Sequence, residues 1–122
     1  MANPNILSAT SLKGNGKVIN LTTTNATTLI TNPASSNQVW RVTCIRATNY
    51  DGSNNADITL SVYDASEAAT GYLAYTITVV ADSTFNVIDK TETVYLEEGD
   101  YLQATCSNAN DISMYVSYEV IE

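Results

Sequence analysis

Asp51, Asn55 and Asp57 crowd hard oxygen donors into one stretch, Asn49 to Asp57. Calcium takes oxygen ligands of this kind, so the stretch is the one candidate metal loop. Its spacing is not that of an EF-hand, which needs donors at alternate positions and a closing glutamate. Asn, Asp, Gly and Ser also gather in long turns, where they bond their own backbone and tolerate left-handed dihedrals. The turn is the stronger reading, so no metal and no cofactor are expected. A second acidic group, Glu97, Glu98 and Asp100 around Gly99, offers the carboxylate pair that glycoside hydrolysis uses. Neighbours on a tight hairpin tip should instead point into solvent. Histidine is absent altogether, which removes the commonest general base. No Ser-x-x-Lys spacing replaces it, and Lys13-Gly14-Asn15-Gly16-Lys17 is not followed by a helix that could cradle a phosphate. No catalytic residue is assigned, and the chain reads as a binding or structural module.

Two cysteines, Cys44 and Cys106, are too few for a metal site. Both are expected on inward faces of strands, as reduced thiols acting as small apolar groups. Five basic against thirteen acidic residues give a net charge of −8. Nucleic acid and anionic membrane surfaces both require clustered cations, and the five here are scattered, so neither is an expected partner. The first residues carry no basic, apolar signal segment. No run approaches the roughly 20 apolar residues of a membrane span. The expectation is a chain made and kept in a cytosol.

The elements that must position these residues repeat with period two. Residues 57–64 alternate Ile58, Leu60 and Val62 against Thr59, Ser61 and Tyr63. Residues 72–80 set Leu73, Tyr75, Ile77 and Val79 on one face. Residues 112–121 set Ile112, Met114, Val116, Tyr118 and Val120 on one face. Such alternation is the mark of half-buried strands. Further strands are expected over residues 17–21, 27–31, 38–47, 84–88, 93–96 and 101–107, the last two forming a hairpin through the Gly99 turn. Residues 65–70 allow one helical turn at most. About eight or nine short strands without a helical period predict an all-β fold, an antiparallel β-sandwich of immunoglobulin-like or jelly-roll-like type. The expected organisation is a flexible arm over residues 1–12 and a single sandwich domain over residues 13–122.

Eight tyrosines against one Phe and one Trp form a marked skew. Tyr63 and Tyr115, with Tyr101, fall on the polar faces of their strands. Tyrosine there suits a protein interface and equally an ordinary well-made sheet. Ile6, Leu7 and Leu12 in the arm would be wasted in water, so with Tyr63 and Tyr115 they are the candidate partner contacts.

From Gln38 onward the chain resembles a family of small virion proteins of tailed bacteriophages, especially those of marine and cyanobacterial hosts. Residues 42–49 and 51–64 carry the resemblance, with Leu73-Ala74, Ile77, Asp82-Ser83 and Ile88-Asp89-Lys90. It closes on Val94-Tyr95-Leu96-Glu97-Glu98-Gly99-Asp100-Tyr101-Leu102 and Val116-Ser117-Tyr118-Glu119. The resemblance implies a non-enzymatic capsid decoration (cement) protein, assembled into the virion in the host cytoplasm. Its implied partners are the major capsid protein or other virion proteins, with further copies of itself on the particle. A neck, tail or fibre component is the alternative of the same class. From another class comes a carbohydrate-binding module, for which Trp40, in an apolar central strand, is a poor platform.

Overall fold

The computed structural model describes residues 3–122, so residues 1 and 2 of the expected arm lie outside the described residues. Nine strands follow one 3₁₀ turn at Ile6–Ser8: β1 (Leu12–Leu21), β2 (Thr27–Thr31), β3 (Val39–Asn49), β4 (Ala56–Asp64), β5 (Ala69–Val79), β6 (Ser83–Ile88), β7 (Val94–Leu96), β8 (Tyr101–Cys106) and β9 (Ile112–Ile121). They form two antiparallel sheets, a β-sandwich. The first runs β1-β9-β3-β6, with β7 also on β3, and the second runs β2-β8-β4-β5. Strands β6 and β7 pair with successive halves of β3, at Ile45–Asn49 and Trp40–Val42. Counted as one interrupted strand, they give two interleaved four-stranded sheets, which is the jelly-roll arrangement rather than the immunoglobulin one.

Period two explains the core. Ile58 and Leu60 of β4, Leu102 and Ala104 of β8, and Ile112, Met114 and Val116 of β9 all face the space between the sheets and are fully or nearly fully buried. Each large apolar side chain enclosed there contributes roughly 1.5–3 kcal/mol. Trp40 and Tyr118 complete that layer toward the β1–β2 edge, their rings stacked at 4.9 Å. The Trp40 indole N–H donates to the Gln38 side chain at 2.9 Å.

Three expectations are corrected by bulges and by a change of sheet. In β3 the register against β9 slips between Val42 and Cys44. The extra residue, Thr43, turns Cys44 to the outer face while Ile45 points inward. Cys106 does face the interior, so the two thiols are not neighbours. In β5 the register against β4 slips twice, between Ile58 and Leu60 and between Leu60 and Ser61. Ala74 is therefore the buried residue and Tyr75 is exposed on the outer face, not inward as alternation alone predicts, whereas Ile77, paired with Ile58, keeps the inward face at the sheet edge with 36% exposure. Finally, β7 and β8 are not a hairpin. β7 pairs with β3 in the first sheet and β8 with β2 and β4 in the second, so the Gly99 turn carries the chain across the sandwich.

That crossing explains another correction. Glu98 and Asp100 are buried rather than solvated. The Asp100 carboxylate accepts from the backbone N–H groups of Ala65 (2.8 Å) and Glu97 (2.9 Å), and Glu98 accepts from Asn37 N–H at 2.9 Å. Gly99 has φ +87°, and a Cβ there would stand 2.9 Å from that of Ala65. Only glycine fits both demands. Asn32, fully buried beside this turn, donates to the carbonyls of Gln38 and Leu96 at 3.0 and 2.9 Å. Residues 65–68 form turns, and β5 begins at Ala69.

Candidate functional site

Strand β1 begins at Leu12, so the expected domain boundary falls inside a strand. The chain before it lies against the outer face of the first sheet. Leu12, Ile121 and Val39 are successive cross-strand partners on β1, β9 and β3. Ile121 and Val39 are buried although they belong to the face away from the main core. The N-terminal segment covers them: Pro4 and Ile6 share a shallow pocket with Val39 and Tyr95. Polar ties hold the segment down. Thr10 and Ser11 donate backbone N–H groups to the Glu122 carbonyl at 2.7 and 2.9 Å, and Glu122 N–H donates back to Ser11 at 3.0 Å. The Asn3 amide donates to Glu97 at 2.7 Å. The 3₁₀ turn itself is capped by Asn5, whose side chain accepts from Leu7 N–H.

This seating leaves apolar side chains outward. Leu7 is 96% exposed, Leu12 57% and Ile6 46%. Farther along the same outer face, Tyr115 on β9 lies across Gly16 of β1, with Val18 exposed beside it. Between these two regions the Arg41 guanidinium pairs with Glu119, its Nε donating at 2.6 Å. That hydrogen bond raises the Arg41 pKa further.

Tyr63 stands apart. It lies on the outer face of the second sheet, stacked on Tyr101 at 4.9 Å. Of the five candidate contacts, Ile6, Leu7, Leu12 and Tyr115 therefore share one side of the sandwich and Tyr63 occupies the other. No known protein family matches the chain, and no curated protein matches it significantly.

The oxygen donors of the candidate calcium loop are each engaged separately. The Asp51 carboxylate accepts from the backbone N–H groups of Ser53 (2.8 Å) and Asn54 (3.2 Å), and from both of their side chains. These bonds, the Ser53 N–H first, lower its pKa to about 2. The Asn55 side-chain oxygen accepts from Ala81 N–H, and Asp57 accepts from the Thr78 hydroxyl at 2.7 Å. Among the described residues no three His, Cys, Asp or Glu side chains converge as a metal set. Asn49, fully buried at the start of this loop, donates to Asn54 and Val79 carbonyls, both at 2.9 Å. The geometry is that of a self-bonded turn.

Sequence reasoning missed Tyr72 and Tyr75. They lie on the outer face of the second sheet with their rings edge to face at 4.8 Å. Two residues three apart share a strand face only where an extra residue intervenes, which is the one sequence-level sign of the β5 bulge.

Proposed function

We propose that this chain is a non-enzymatic structural protein of a tailed-phage particle, a capsid decoration protein that grips the assembled head through the outer face of its first sheet. One observation carries the reading: Ile6, Leu7 and Leu12 are presented to solvent by a segment that is already ordered on the sandwich. Fixing a mobile residue costs roughly 1–2 kcal/mol, so an arm that ordered only on docking would gain little from three apolar contacts. Here folding has met that cost. Covering each of the three then contributes up to roughly 1.5–3 kcal/mol of binding surface. The resemblance to small phage virion proteins supports the same assignment. Jelly rolls serve in capsids and in lectins alike, so the fold alone does not decide it. Attachment to assembled shells, and not to free subunits, would stabilise the head by mass action.

The test is co-sedimentation of the purified chain with heads built from the major capsid protein of the same genome. The chain should pellet with heads, and Leu7→Asp should weaken attachment at least about tenfold while leaving the melting temperature unchanged. A chain that stays in the supernatant with heads, or pellets only with isolated tails, overturns the assignment.

A further inference from the structure

The outer face of the second sheet carries a shallow groove of about 380 Å³, within the roughly 300–1,000 Å³ range of small-ligand sites. Its floor and walls are hydroxyls and one amide: Thr59 and Ser61 of β4, Thr70 of β5, and Gln103 and Thr105 of β8. Tyr72 and Tyr75 stand along one side, 61% and 64% exposed. No Lys, Arg, Asp or Glu lines it.

The double bulge in β5 builds this arrangement. Thr76 takes φ +52° and donates its backbone N–H to the Thr59 hydroxyl at 3.0 Å. Between the two register slips, Ala74 turns inward and the two tyrosines come out together. A positive φ at a β-branched residue is costly, and the hydrogen bond to Thr59 holds it in place. The hydroxyls of Ser61, Thr70 and Thr105 bond to no other described residue, so they are available to a ligand.

We infer that this groove binds a neutral oligosaccharide. A pyranose offers one face of C–H groups and a rim of hydroxyls. Exposed tyrosine rings match the first, with their apolar bodies and polar tips. Strand-borne hydroxyls and an amide, each able to donate and accept, match the second. The absence of charge on the groove walls, with the chain's net charge of −8, selects against sulfated or carboxylated sugars and against phosphate. An extended peptide is a poorer occupant, because the bulges break the regular ladder of N–H and C=O groups that strand addition requires. The inference is independent of the particle assignment: the groove and the Leu7 patch lie on opposite sides of the sandwich.

The experiment uses the full chain and six neutral hexasaccharide probes, of the xylan, cellulose, mannan, β-1,3-glucan, chitin and maltose types. Saturation-transfer NMR and calorimetry at millimolar sugar read binding. At least one probe should bind, with Tyr72→Ala and Tyr75→Ala each lowering affinity at least about tenfold and Tyr75→Phe retaining most of it. Both rings are largely exposed, so melting temperatures should stay level and show that the variants fold. Failure of all six probes overturns the inference. So does binding that survives both alanine variants. Protection of Tyr72 and Tyr75 from chemical modification on particles would instead make the groove a protein-docking face, and would also overturn it.

Discussion

Tyr63 and Tyr115 stand on opposite outer faces of the sandwich, the first stacked on Tyr101 at 4.9 Å and the second laid across Gly16. Two tyrosines that alternation places alike on polar strand faces thus belong to different surfaces. If the first sheet docks, Tyr115→Ala should weaken particle attachment and Tyr63→Ala should not. Losing the Tyr63–Tyr101 stack should instead cost stability, on the order of 0.5–1.5 kcal/mol beyond the lost area. Co-sedimentation and denaturant melts of the two variants separate these effects.

The cysteines should differ in reactivity. Cys106 is buried, its thiol donates to the Asn108 carbonyl at 3.1 Å, and burial raises its pKa. Cys44 is half-buried on the outer face, lining an open pocket. Access controls alkylation and burial suppresses the Cys106 thiolate, so iodoacetamide should modify Cys44 first. Peptide mass spectrometry of a time course checks the order. Cys106 reacting first, or a Cys44–Cys106 disulfide in fresh protein, contradicts the bulge at Thr43.

Asp100→Asn should destabilise the fold although it preserves shape. Both carboxylate oxygens accept backbone N–H bonds, and an amide can offer only one acceptor. Its NH₂ would face a second donor, leaving that group buried and unpaired at a cost of about 1–3 kcal/mol. Urea unfolding midpoints of the variant and the parent protein measure it. An unchanged midpoint would mean that the turn relaxes without loss.

Asp51 should contribute stability that fades in acid. Its folded pKa lies at about 2, below the ordinary 3.8. A depressed carboxylate favours the folded state above its unfolded pKa, and that contribution disappears as pH falls through the folded value. Asp64 and Asp89 are lowered in the same direction, each chiefly by side-chain bonds to Ser66 and Thr91. The melting temperature of Asp51→Ala should therefore trail the parent at neutral pH, with the gap closing between about pH 4 and pH 2. A gap that persists at pH 2 would assign the loss to something other than the charge.

Strand existence was legible because period two acts locally: β4 and β9 follow the Ile58-Leu60-Val62 and Ile112-Met114-Val116 alternations closely. Bulges were not legible. The extra residue at Thr43 and the two slips in β5 are fixed by spacing against a partner strand, which the chain does not carry in one window. They moved Cys44 and Tyr75 to the outside, and with Tyr75 the groove. Burial of Glu98 and Asp100 was hidden for a similar reason. Their donors, Asn37 and Ala65, come from loops distant in sequence. Ile6, Leu7 and Leu12 are exposed, but that their segment is held down was not legible, because the closing strand β9, whose end ties it, lies at the opposite end of the chain.

Cryo-electron microscopy of heads decorated with this chain tests the docking face most directly. The account predicts density on the assembled shell with Ile6, Leu7, Leu12 and Tyr115 turned toward the capsid and Tyr72 and Tyr75 turned away. Density with the second sheet against the shell, or heads bare of the chain, would contradict it.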